Sequence, residues 1–181
     1  MLTGRTVYTF KIYYSDINFI KVEINFIEKI INAPKKVSIK AITDFFDSKT
    51  MLYELGLSYQ NFNVLSYSLE EIKLEKYRAV LTRKYLQERD LFDLFLIEDS
   101  LNADVRVIVE KIKNSSLIKR DLVDLISEKS MLLQENKFFE SKEKVDALSI
   151  AKYNKKEFEE FKQKIKPKLI EICKEFLNNK K

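Results

Sequence analysis

Residues 69–98, LEEIKLEKYRAVLTRKYLQERDLFDLFLIE, narrow what this chain can fold into more than any other stretch. The spacing predicts two consecutive helices with polar residues set among their apolar ones. In the first, Leu69, Ile72, Ala79 and Val80 recur at the spacings of one helical face. Lys76 and Arg83 fall on that same face, seven residues apart. The second helix, over 88–97, is apolar almost all round apart from Asp90 and Asp93, one turn apart. So apolar a helix is expected to be buried, and a buried carboxylate needs a partner because an unpaired charge is costly there. One lysine and two aspartates aimed inward predict a polar pocket. It is either structural, as Lys76–Asp90 or Arg83–Asp93 ion pairs that fix helix packing, or chemical.

Composition limits the chemistry available to such a pocket. The chain has 181 residues, 45% of them hydrophobic and 12% aromatic, enough for one substantial domain or a domain with a helical appendage. It contains no histidine, which excludes a serine–histidine triad, a histidine base and imidazole zinc sites. Cys173 is the only cysteine, so neither an intramolecular disulfide nor a Cys-x-x-Cys knuckle is available, and a reducing cytoplasm is expected. Two glycines leave no glycine-rich phosphate loop. No apolar run approaches the ~18 residues of a membrane span, and no signal peptide is recognisable. Catalysis, if present, falls to carboxylates, lysines, arginines, hydroxyls or a hard metal. The net charge of +5 comes from 33 basic and 28 acidic residues interleaved along the helices. It permits a nucleic-acid partner without requiring one.

The expected class is α+β: a small mixed or antiparallel sheet with helices over 1–100, followed by a helical bundle over 101–181. Val7 to Tyr13 and Phe19 to Phe26 alternate as strands, and YSDIN between them predicts an antiparallel hairpin. Short strands are expected over 37–42 and 62–67, and a helix over 44–56. Amphipathic helices are expected over 103–113 and 119–133. Phe158, Phe161, Ile165, Leu169, Ile172 and Phe176 form a regular stripe, and Pro167 inside it predicts a kink or a break.

A magnesium–nucleotide site would suit these residues. Glu23 lies on a strand with Lys21 and Asn25 on its polar side, and Mg²⁺ takes carboxylate, phosphate and water oxygens. A lysine can hold a triphosphate as a point charge, and phosphoryl or nucleotidyl transfer depends on such positioning.

The paired helices resemble the signature of the AbiEii/AbiGii-type nucleotidyltransferase toxins, an EEhhxEKhxAhhxR helix followed by RDhhDhhhh, where h is apolar. Glu70, Glu71, Glu75, Lys76, Ala79 and Arg83 match the first part, and Arg89, Asp90 and Asp93 the second. FIKVEINF resembles the family's acidic strand. The likeness covers roughly the first hundred residues and is most specific at the paired helices. It implies that Lys76 contacts nucleotide phosphates and Asp90 is an essential acidic residue, with Arg83 and Arg89 in support. Glu23 would be a metal-associated carboxylate, and Asp93 a structural residue paired with an arginine. It also implies a nucleoside triphosphate substrate, Mg²⁺, a cytoplasmic toxin–antitoxin or phage-defence role, a cognate antitoxin, and in some members tRNA ends as acceptor. The family's glycine–serine element and D-x-D pair have no match here, so the half of the site that binds the metals is expected to be missing.

Three functions follow. The chain is a nucleotidyltransferase acting on an RNA or protein acceptor, or a truncated, inactive module of that type that binds a partner. In the third, it is a helical interaction protein that docks on another chain, or on a second copy, through the Phe158–Phe176 stripe.

Overall fold

The computed structural model describes residues 7–13, 15–25, 29–39, 54, 62–97, 102–114, 119–140 and 153–179. The expected hairpin forms: β1 (Val7–Tyr13) pairs antiparallel with β2 (Phe19–Asn25), placing Phe10 opposite Val22 and Lys11 opposite Lys21. β3 (Lys35–Ile39) pairs antiparallel with β4 (Phe62–Ser66) in a separate two-stranded sheet. β3 begins two residues before the expected strand. Residues 40–42, and the helix expected over 44–56 apart from Glu54, lie outside the described residues.

Among the described residues five helices follow: α1 (Leu69–Thr82), α2 (Glu88–Ile97), α3 (Val105–Lys113), α4 (Lys119–Gln134) and α5 (Lys155–Asn178). Ser68 caps α1, its hydroxyl accepting from the Glu71 N–H at 3.2 Å, and Glu70 and Glu71 favour the positive end of the helix dipole. Asp104 caps α3 and Asn154 caps α5 in the same way. After α4 the chain turns through Asn136 at φ 62°, a left-handed position that asparagine tolerates, and the Lys137 N–H reaches the Leu132 carbonyl.

The core is drawn from all five helices, and it joins residues on both sides of position 100, from Leu74 to Phe176. In α1 it takes Leu74, Tyr77, Val80 and Leu81; of the expected face Ala79 and Val80 are buried, whereas Leu69 is exposed and Ile72 half-buried. The physical reason is size: Tyr77 with two leucines buries more apolar area than Leu69 and Ile72 would, and that area sets the stabilisation.

Two further expectations are corrected. The Phe158–Phe176 stripe is not a docking face for another chain, because Phe158, Phe161, Ile165, Leu169, Ile172 and Phe176 are all buried inside this one. Phe158 stands edge-on to Phe92 at 5.5 Å, and Phe161 edge-on to Phe95 at 5.6 Å. Pro167 does not divide the segment into two helices, since α5 runs through it. Pro167 is exposed, and the buried residues on either side of it outweigh its missing backbone donor.

Candidate functional site

The α1–α2 corner gathers four of the expected residues, Lys76, Arg83, Asp90 and Asp93, with the Asp90 carboxylate between the two cations. Asp90, in the first turn of α2, is only 1% exposed. Its Oδ1 lies 3.3 Å from Lys76 Nζ, and its Oδ2 lies 3.2 Å from Arg83 Nη1. Lys76 also meets Asp93 at 2.5 Å, where an arginine was the expected partner. The side chains of Lys76, Asp93 and Arg83 are 28%, 41% and 42% exposed. The lysine is therefore on the flank of α1 rather than aimed into the core, and Asp93 is on the rim. The result is two cations held side by side by a buried anion, with open approach from solvent. A planar guanidinium beside a compact ammonium suits an oxyanion such as phosphate. Arg89, one residue before Asp90, is exposed.

A second charged cluster braces α1 from its other side. Glu71 is fully buried, and its carboxylate accepts from the Asn32 N–H at 2.8 Å, the Ile31 N–H at 3.2 Å and the Lys111 ammonium at 2.5 Å. Lys111, itself buried, also donates to the Lys29 carbonyl at 2.6 Å and pairs with Glu75, which in turn holds Arg78. Burial pushes the Glu71 carboxyl up, but Lys111 and the two backbone donors outweigh it and leave the group below its ordinary value. Burial likewise pushes Lys111 down, and Glu71 and Glu75 more than reverse it. Sequence reasoning missed this brace. Its trace was Lys111 standing at helical spacing from Ile108 inside an otherwise apolar stripe.

Two more buried lysines tie the corner to the helices below. Lys162 of α5 bonds Glu88 of α2 at 2.8 Å and Glu159 at 2.6 Å. Lys129 of α4 donates to the Lys84 carbonyl at 3.1 Å, fixing the linker that carries Arg83. Burial holds Lys129 below its ordinary value. Beside that linker is a cleft of about 430 Å³, lined by Lys84, Tyr85, Gln87, Lys129, Lys137 and Phe138 among others.

Glu23 is not part of this corner. It is exposed on the β1–β2 hairpin, where its carboxylate pairs with Lys21 at 2.6 Å. Among the described residues no three of histidine, cysteine, aspartate and glutamate converge as metal ligands. Both Asp90 oxygens face cations, and Glu23 is held by a lysine. The described donor set therefore does not fit a divalent ion.

A buried carboxylate that faces two cations at a helix corner is thus set on a mostly helical α+β scaffold. The model of the AbiEii nucleotidyl transferase toxin family, of type IV toxin–antitoxin systems, matches residues 3–176, and the chain belongs to that family. The match extends the likeness well beyond the first hundred residues, through the helices of the bundle. No curated protein and no solved structure matches the chain. No helix among the described residues is long and apolar enough to cross a membrane.

Proposed function

We propose that this chain is a nucleotide-binding toxin of the nucleotidyltransferase type, with Lys76 and Arg83 as the groups that receive the phosphates of a nucleoside triphosphate. The observation that carries the reading is Asp90, buried and facing both cations. It keeps the two charges close together without occupying the solvent side from which a phosphate approaches. An arriving phosphate takes the place that Asp93 holds beside Lys76. Asp90 is thereby a positioning residue, and Lys76 the residue in contact with substrate. Arg89, exposed in the first turn of α2, adds positive charge near the same rim. The family reading carries a divalent ion as cofactor, which neutralises phosphate charge when bound. The described carboxylates do not form its ligand set, and Glu23 is paired with Lys21 on the hairpin, outside this corner.

For the acceptor, the adjoining cleft favours single-stranded RNA over protein. Tyr85 is exposed, with the Lys84 ammonium 5.4 Å from its ring centroid, and Lys137 stands on the same cleft. The open Tyr85 ring can stack a base with Lys84 beside it to meet a phosphate, while Glu128 and Glu140 also line the cleft. A cytoplasmic site of action with a cognate antitoxin is the remaining part of the proposal.

The test is calorimetric titration of the intact chain with each nucleoside triphosphate, with and without Mg²⁺. Lys76→Met is expected to weaken binding by about 10- to 100-fold, the worth of one charge-assisted contact. Equal binding by a folded Lys76→Met chain would remove the site.

A second reading, a module that binds nucleotide without turnover, is favoured by the lack of converging carboxylates among the described residues. Incubation with labelled nucleotides, Mg²⁺ and total tRNA separates the two. Label transferred to RNA selects the enzyme, and binding without transfer selects the module.

A further inference from the structure

We propose that this chain self-associates through the outer edge of β2, two copies pairing antiparallel about Val22. Among the described residues β2 is hydrogen-bonded on one side only, to β1. Such an edge is a template for another strand. The sequence on it, Ile20-Lys21-Val22-Glu23-Ile24, reads as its own complement when reversed. A two-fold axis through Val22 sets Lys21 opposite the partner copy's glutamate at 23 and Glu23 opposite its lysine at 21. Ile20 then meets the isoleucine at 24. Opposite charges facing across a ladder stabilise it, as does the apolar pairing.

The hairpin as it stands is short of such partners. Lys21 faces Lys11 across the β1–β2 ladder, a like-charge pair, and its carboxylate partner among the described residues is Glu23, two residues along its own strand. A second copy supplies a carboxylate directly opposite Lys21 on the free side. The side chains of Lys21 and Glu23 are 52% and 53% exposed, so both are accessible to it. A lone two-stranded hairpin is also marginal in water, whereas four strands are self-supporting. The exposed apolar residues Tyr8, Phe10, Ile12, Ile20 and Ile24 lie on one face of it, and pairing joins the two copies' faces into one continuous sheet.

Sedimentation of the full chain over a concentration series tests the proposal, the expected species being twice the 21.5 kDa chain mass. Lys21→Glu places four carboxylates along the shared ladder and is expected to give monomer. The same change puts a glutamate opposite Lys11, so the hairpin itself gains and the thermal transition is not lowered. Glu23→Lys is expected to be monomeric as well. An equimolar mixture of the two single variants regains the dimer, as does the exchanged double variant Lys21→Glu/Glu23→Lys. Wild-type chain that stays monomeric at its highest soluble concentration overturns the proposal. So does Lys21→Glu chain that keeps the dimer mass.

Discussion

The Lys111 ammonium of α3 lies 2.5 Å from Glu71 Oε1 of α1, and neither side chain is more than 2% exposed. This pair joins the two helices and, through Glu71, ties residues 31 and 32 to the helix that carries Lys76. Removing one member leaves the other buried with its strongest counter-charge gone, Lys111 keeping Glu75 and Glu71 keeping the Ile31 and Asn32 N–H groups. Glu71→Gln and Lys111→Met are each expected to cost about 1–3 kcal/mol, since each leaves its former partner with other contacts. Their double variant should cost clearly less than the sum, because each single change already breaks the same pair. Urea denaturation of the three variants measures this.

The same residues set the pH range of stability. Glu71 titrates below its ordinary 4.5 in the folded chain. Its contribution is complete above 4.5 and fades as pH falls through the folded value. Lys111 and Lys162 titrate above their ordinary 10.5, so their contributions are complete below 10.5 and fade as pH rises through the folded values. Unfolding midpoints measured against pH should fall on both sides of a broad plateau. Glu71→Gln should flatten the acid side.

Asp90 and Asp93 both approach Lys76 but differ in burial. Asp90→Asn leaves Lys76 and Arg83 facing each other with no anion between them, and is expected to weaken triphosphate binding and to cost about 1–3 kcal/mol of stability. Asp93→Asn, on the rim, should cost no more than about 1 kcal/mol. Equal losses in the two variants would remove the distinction between a positioning carboxylate and a surface one.

Phe161 and Pro167 lie on opposite sides of α5. Phe161→Glu buries a carboxylate against Phe95, so the thermal transition should disappear rather than a dimer dissociate. Pro167→Ala restores a helical donor on the exposed side and is expected to raise stability by about 1–3 kcal/mol.

Cys173 is fully buried, and burial pushes its thiol up to about 12 despite the nearby Lys129. A thiol held so far from ionising reacts slowly. Ellman's reagent at pH 8 should label the chain only as fast as it unfolds, and at once in urea.

The sequence by itself determined where most of the helices lie, the hairpin and the kind of chemistry on offer. A period of two or of 3.6 residues is a local property, and the lack of histidine and of glycine loops requires no fold to be read. It also placed Lys76 and Asp90 on adjoining helices with Arg83 at the start of the short linker between them. Only the tertiary structure decided which polar residues are buried. Glu71, Lys111 and Lys162 are far apart in the chain from the groups they meet, and a charge can be buried only where the fold brings its counter-charge to it. The same holds for Glu23, whose strand pattern was legible but whose place on an exposed hairpin beside Lys21, away from the Asp90 corner, was set by which elements packed together.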